Sequence, residues 1–358
     1  MSAIAICESE SLIGEVARIF EGAGVAAQAA EVTARALVRS DARGYATHGV
    51  SRVLSYVQRL QDGSVTRAPR LRSEELAGVL HVHGDGGLGQ VVAGYAMDTA
   101  AELAQTRAAV VCLVHDTGHL GALGVLILEL AERGLLAVLA QATSPVMAPE
   151  GAQGPAVGNN PIAFACPLPD RAPVVFDMAC SVAARGHIIA AQREGRPIPA
   201  GWALDAGGRP TTDPTEGLLG MLLPAAGHKG LGLAIMIQFL AGLLGGHPPS
   251  PRLGREGQLE SAPGHQSAFL LVINPALFAG EQAFTEATRA WVDSYLESGA
   301  RLPGQRAAAV EAERRQAGIS LSSAVIGQLQ DAARLAGTTL ELPTTEPDQF
   351  LKAGKENP

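Results

Sequence analysis

Thr47, His48, Arg52 and Tyr56 are residues of this 358-residue chain whose types and spacing could serve chemistry on a small acid. They lie in DARGYATHGVSRVLSYVQRL (41–60), with Thr47 and His48 just before a predicted helix that carries Arg52 and Tyr56. The spacing i, i+4, i+8 puts His48, Arg52 and Tyr56 on one helix face. An arginine grips a carboxylate in a planar fork. A histidine moves a proton near neutral pH, and a tyrosine donates a hydrogen bond. The plain alternative is a solvated polar stripe with a histidine at the helix start.

A second cluster, VHDTGHLGALG, puts His115, Asp116 and His119 in a glycine-flanked loop between a predicted strand and a predicted helix. Such loops are where α/β proteins keep their chemistry. Proton transfer or substrate contact by His119 and a structural histidine are both open; a metal site would need further ligands that no spacing nominates. In AAGHKGLGLA (225–234), His228 and Lys229 open an apolar helix. A lysine there opposes the helix dipole, and an anionic ligand such as a phosphate would explain it. GNNPIAFACP (158–167) reads as a tight turn. VVFDMACS (174–181) ends a strand at Asp177 among small residues, where backbone could approach a ligand. GDGGLG, with Gly84, Gly86 and Gly89, has the strand-before, helix-after context of a dinucleotide fingerprint. Its acidic partner, Asp116, comes 27 positions after Gly89, where about 20 is expected, and a glycine-rich turn is the alternative.

The elements that must carry these residues change character along the chain. Residues 9–62 show apolar positions three and four apart, as helices do. From about 75 to 142, short β-branched runs (LAGVLHVHG, AAVVCLVHD, LLAVLAQAT) alternate with helical patterns, which predicts a layered α/β domain. APVVFDMA (172–179) and SAFLLVINP (267–275) read as further strands, 248–266 as an exposed loop, and the tail from about 281 as helix ending in a frayed KAGKENP. The most apolar stretch, 230–246, reads as a buried helix rather than a membrane span.

Composition limits what this assembly can be. Hydrophobic residues are 47% and charged residues 17% of the chain, a profile that excludes disorder. The formal net charge of −8 and the 4% aromatic content argue against nucleic-acid binding. Cys7, Cys112, Cys166 and Cys180 show no zinc spacing. The start, MSAIAICESESL, lacks a positive region, so no signal peptide and a cytoplasmic location are expected.

Eight segments in order, SDARGYATHGVSRVLSYV, GHLGALG, SPVMAPEG, GNNPIAFACP, VVFDMACS, IPAGWALDAGGRPTTDP, LLPAAGHKGLGLA and RLPGQR, together resemble the type 2 malate/L-lactate dehydrogenase family. That family includes ureidoglycolate and sulfolactate dehydrogenases and cyclic imine reductases acting on piperideine- and pyrroline-2-carboxylate. The resemblance implies an α/β (α+β) fold with a non-Rossmann NAD(P)-binding domain and a largely antiparallel sheet (76–279). It also implies a helical domain formed by both termini (1–75 with 280–358), a homodimer, and GDGGLG as a mere turn. The implied activity is NAD- or NADP-dependent interconversion of a 2-oxo acid and its 2-hydroxy acid, or reduction of a cyclic imine, without metal.

Carried over by position, the resemblance makes His48 and His119 the proton-transfer residues, with Thr47 as a relay hydroxyl. Arg52 and Tyr56 would bind substrate. Leu120, Gly121, Thr143, Asp177, Met178, Ala179, Lys229, Gln266 and Ser267 would line the nicotinamide cofactor. Thr47 stands where the family usually has Ser, GNNP replaces GTNP, and Leu120 replaces an aromatic. Glu194 is the nearest candidate for the carboxylate that completes a relay in the imine reductases.

Overall fold

The structure, a computed structural model, describes residues 4–247 and 266–342. The loop expected over 248–266 therefore lies outside the described residues except for Gln266, and so does the frayed KAGKENP tail. The chain divides into two compact units, residues 1–69 with 303–358, and residues 70–302.

The first unit is mostly helical. Numbered in chain order, it holds β1 (Ile4–Cys7), α1 (Ser9–Gly22), α2 (Ala27–Ala42), α3 (Val53–Gln61), α10 (Gln305–Ala317), β12 (Ile319–Ser322) and α11 (Ser323–Leu335). Helix α1 buries Leu12, Val16, Ile19 and Phe20, the stripe that its apolar spacing predicts. Strands β1 and β12 pair antiparallel, Ile4 opposite Ser322, and tie the two ends of this unit together.

The second unit is built on strands β2 (Arg72–Leu76), β3 (Val79–Gly87), β4 (Ala109–Thr117), β5 (Leu136–Ala142), β6 (Ile162–Leu168), β7 (Arg171–Met178) and β11 (Gln266–Ile273). They form one seven-stranded sheet in the order β2-β3-β4-β11-β5-β6-β7. Only β3 and β4 pair in parallel; every other pairing in this sheet is antiparallel. Helices α4 (Gly89–Leu103) and α5 (Leu123–Glu132) follow β3 and β4. The alternation over 75–142 thus yields a single parallel βαβ step. Strand β11, contributed from far along the chain, then inserts between β4 and β5. Helices α6 (Arg185–Arg193) and α7 (Pro214–Leu219) and a small sheet of β8 (Ala203–Leu204), β9 (Pro210–Thr211) and β10 (Met221–Leu222) complete the middle.

Helix α8 (His228–Ile237) runs on through a π turn (Gln238–Gly242) and a 3-10 turn (Leu243–Gly245). The expectation of a buried helix over 230–246 fails here. The inward stripe is made mainly of small residues (Gly230, Ala234, Ala241), while Phe239 and Leu244 are 59% and 61% exposed. His228–Gly245 is long and apolar enough to cross a membrane, by length and composition alone.

Helix α9 (Glu281–Glu297) belongs to the second unit, whereas the resemblance put 280–302 with the helical ends. Its arginine and aspartate explain the placement. Arg289 pairs with Asp170 at 2.8 Å and Asp293 with Arg171 at 3.0 Å, locking α9 to the β6–β7 hairpin.

Candidate active site

In the helical unit, the segment after α2 does not continue as one helix. Ala46–His48 and Val50–Arg52 form two 3-10 turns, broken at the extended Gly49, before α3 begins at Val53. His48, Arg52 and Tyr56 therefore do not share one continuous helix face, and the i, i+4, i+8 argument does not apply. Contacts do tie the first two together. The Thr47 hydroxyl lies 3.0 Å from His48 Nδ1, and Arg52 Nε donates to the Thr47 carbonyl at 2.6 Å. His48 and Arg52 are half-buried; Tyr56 is buried.

Asp41, at the end of α2, holds this turn and was not singled out by sequence. Its carboxylate accepts the Val50 amide at 2.7 Å, and a Cβ at Gly49 would overlap it, so the THG glycine is required by packing. Arg314 of α10 donates to the Asp41 backbone carbonyl. Burial pushes the Asp41 carboxyl up to about 7, against the opposing pull of the Val50 amide and the Arg314 charge.

In the second unit, the register gathers the other candidates at one end of the sheet. Gln266 is opposite Thr117, and Ser267 is opposite Ala142, which precedes Thr143. Ile162 faces Ala140 on one side and Met178 on the other. The loop Gly118–Gly121, the start of β11, the end of β5 and Asp177–Ala179 thus lie along one edge. The start of α8 joins them: Ala225 N donates to Cys180 O at 2.9 Å, and a Cβ at Gly230 would overlap both carbonyls of that contact region.

The His119 loop is tightly fixed. Gly118 N donates to Gly87 O at 3.0 Å. A Cβ at Gly84 would come within 2.7 Å of Asp116 O, and one at Gly89 would overlap His119 O. GDGGLG is therefore more than a simple turn. It is a bulged strand end running into α4, whose glycines let β3 and α4 pass against the residue 116–119 backbone. Leu120 is buried, His119 half-buried, and Gly121 takes a positive φ of 84°. Two further residues that sequence reasoning missed, Gln90 on α4 and Gln141 on β5, bond this loop and are each 1% exposed. Their signal was a carboxamide inside an otherwise apolar run.

Asn160, fully buried, explains GNNP better than a turn does. Its Oδ1 accepts the Thr143 amide at 2.8 Å, and its Nδ2 donates to Ala234 O of α8 at 2.9 Å, so it joins β5 to α8. The Thr143 hydroxyl donates to Asn159 Oδ1 at 3.1 Å. The Asp177 carboxylate accepts the Gly124 amide in the first turn of α5 at 2.8 Å, and burial raises it to about 6. Met178 and Ala179 are half-buried. His228 and Lys229 are exposed in the first turn of α8, and Lys229 makes no ion pair among the described residues. The Gln266 Oε1 is buried with no hydrogen-bond partner among the described residues. Glu194 is exposed and paired to Arg196.

His115 turns to other histidines. Its Nε2 lies 2.9 Å from His81 Nδ1, its Nδ1 lies 2.5 Å from His247 Nε2, and His83 stacks on it with centroids 4.8 Å apart. Burial first, then the neighbouring imidazoles, lower it to about 4. Among the described residues no group of three or more histidines, cysteines or carboxylates is arranged to hold a metal ion.

The chain is similar over most of its length to proteins of known activity. A family model for malate/L-lactate dehydrogenase matches residues 7–330. A (2R)-3-sulfolactate dehydrogenase (NADP(+)) of Chromohalobacter salexigens is 36% identical over 332 residues, 91% of this chain and 97% of the relative. A ureidoglycolate dehydrogenase (NAD(+)) of Escherichia coli O157:H7 is 35% identical over 74% of this chain and 75% of its own length. The crystal structure of δ1-piperideine-2-carboxylate reductase from Pseudomonas syringae pvar. tomato matches with a TM-score of 0.84 at 30% identity, covering 92% of this chain and 99% of that one. The chain belongs to the malate/L-lactate dehydrogenase family.

Proposed function

We propose that this oxidoreductase interconverts a small 2-oxo acid and its 2-hydroxy acid using NAD or NADP. The observation that carries the reading is the convergence of Gly118–Gly121, Thr143, Asp177–Ala179, Gln266–Ser267 and the start of α8 at one sheet end. The residues there fit a nicotinamide dinucleotide. The Gln266 Oε1 is a buried acceptor open to a carboxamide or hydroxyl donor. Lys229, exposed in the first turn of α8 and without an ion pair among the described residues, offers a cation for phosphate. The domain is read as non-Rossmann because a parallel doubly wound sheet is replaced by one parallel pairing. The two units are read as a helical and a cofactor domain, in a cytoplasmic homodimer.

A bound nicotinamide supplies or accepts the hydride at C2 of the acid. Arg52 holds the substrate carboxylate through its planar fork, with Tyr56 beside it. His48 or His119 gives a proton to the carbonyl oxygen as it becomes a hydroxyl and takes it back in the reverse direction. The Thr47 hydroxyl, 3.0 Å from His48 Nδ1, orients that imidazole. Likeness to the piperideine-2-carboxylate reductase supports a second reading, in which the same residues serve reduction of a cyclic C=N.

A panel of pyruvate, oxaloacetate, 2-oxoglutarate, sulfopyruvate and piperideine-2-carboxylate, each with NADH and NADPH, tests both. Turnover of at least one 2-oxo acid is expected. Turnover of the cyclic imine alone would install the second reading, and turnover of none would overturn both.

A further inference from the structure

We propose that Gln141 and Gln90 are positioning residues for the reaction, two buried carboxamides that hold the Gly118–Leu120 backbone and thereby aim His119. The inference rests on the reading of His119 as a proton-transfer residue.

The loop needs outside support. It belongs to no helix or strand, and glycines flank it at 118 and 121, so its own conformational preferences are weak. Gln141 reaches it from β5 with both ends of its side chain. Its Oε1 accepts the Leu120 amide at 3.2 Å, and its Nε2 donates to the Gly118 carbonyl at 3.0 Å. These are the two groups that bracket His119, and one carboxamide meets them as a neighbouring strand's backbone would. Gln90 reaches the loop from α4. Its Nε2 donates to Leu120 O at 3.0 Å and to His119 O at 3.3 Å.

Filling space in the core does not account for these residues. The neighbours of Gln141 on β5, Leu139, Ala140 and Ala142, are apolar and buried, and an apolar side chain would serve there without hydrogen bonds. A buried carboxamide left unbonded is costly. Both glutamines direct their side-chain amide donors to the loop that carries the half-buried His119. The Leu120 side chain, buried against α4 and β5, fixes the third direction. Such restraint matters for rate, because a displacement of about 1 Å in a reacting group can cost on the order of 10²-fold.

Two substitutions separate aiming from mere packing, with the fastest substrate of the panel above as probe. Gln141→Leu fills similar space and removes both bonds. The expected result is a folded protein in which kcat falls about 10–100-fold while KM for the acid stays within about threefold. Gln141→Glu is isosteric. In its acid form it keeps one donor and one acceptor, and on ionisation it loses the donor and faces the Gly118 carbonyl with a charge. Its kcat relative to the parent is therefore expected to be near one at low pH and to fall as pH rises. The Gln141→Leu ratio is expected to stay flat across pH.

A folded Gln141→Leu protein with kcat within about twofold of the parent overturns the proposal. So does a Gln141→Glu ratio that does not change with pH. Should Gln141→Leu fail to fold, the pH course of Gln141→Glu decides alone. His119→Ala, measured alongside, distinguishes the two levels. An impaired His119→Ala with an intact Gln141→Leu sinks the positioning role only. An unimpaired His119→Ala removes the role of His119 and the positioning role with it.

Discussion

Asp41 answers to two demands, accepting the Val50 amide and packing where Gly49 has no Cβ. Its carboxyl is raised to about 7 by burial, whereas in the unfolded chain it titrates near its ordinary value of about 3.9. Between these values the unfolded chain has released a proton that the folded chain retains. Stability contributed by this group is thus present at low pH, declines as pH rises from about 4 to about 7, and is constant above. Asp41→Asn keeps an acceptor for Val50 and has no charge to bury. The expected result is that urea midpoints of the variant fall less steeply than those of the parent between pH 4.5 and 7. Equal slopes would show that Asp41 is not protonated in the fold. At the reacting residues, His48→Ala is expected to lower turnover by about 10²–10⁴-fold, the usual general acid–base contribution. Arg52→Lys is expected to raise KM for the acid by about tenfold with little change in cofactor affinity, since one charge-assisted hydrogen bond of about 1.5 kcal/mol is lost. An indifferent KM would remove Arg52 from carboxylate binding.

Strands β3 and β4 lie side by side in parallel, and that pairing places His83 opposite His115. His81, two residues back along β3, and His247, tilted against it at the end of the turn after α8, complete a cluster around one buried ring. His115 is lowered to about 4. As pH falls below about 6.5, the unfolded chain takes up a proton that the folded chain refuses until about 4. Its contribution therefore falls with pH through that window, opposite in sign to Asp41 over the range they share. His115→Gln is expected to be less destabilised than the parent by acidification from pH 6.5 to 4.5, measured by denaturant midpoints at each pH. Two elements also meet at glycines. Gly89→Ala places a methyl on the His119 carbonyl, and a loss of about 1–3 kcal/mol is expected from overpacking. How much of this was legible differs by element. Amphipathic α1 and the buried run of α5 were readable from spacing and apolarity alone. The break at Gly49 was not, because Asp41 is what makes the chain turn there, and its role is a contact across nine residues.

For the molecule as a whole, cofactor binding should appear as stability. If Lys229 and the sheet end hold the dinucleotide, saturating NADH or NADPH should raise the melting temperature. At 100 times Kd, linkage is worth about 2.7 kcal/mol, a shift of several degrees. Lys229→Glu is expected to abolish that shift and leave the free protein's melting temperature unchanged. A persisting shift would move the phosphate site elsewhere. The ordered motifs of the chain by themselves determined the family, the mixed α/β class and the residue types available for acid chemistry. These are local signals, since each motif carries its own glycines, histidines and prolines in sequence. Only the tertiary structure decided that β11 would part β4 from β5. It likewise decided that Asn160 would join β5 to α8, and that Gln90, Gln141 and Asp41 would hold the loops bearing the histidines. Strand order and buried hydrogen bonds are settled between segments far apart in the chain, where no spacing along the sequence records them.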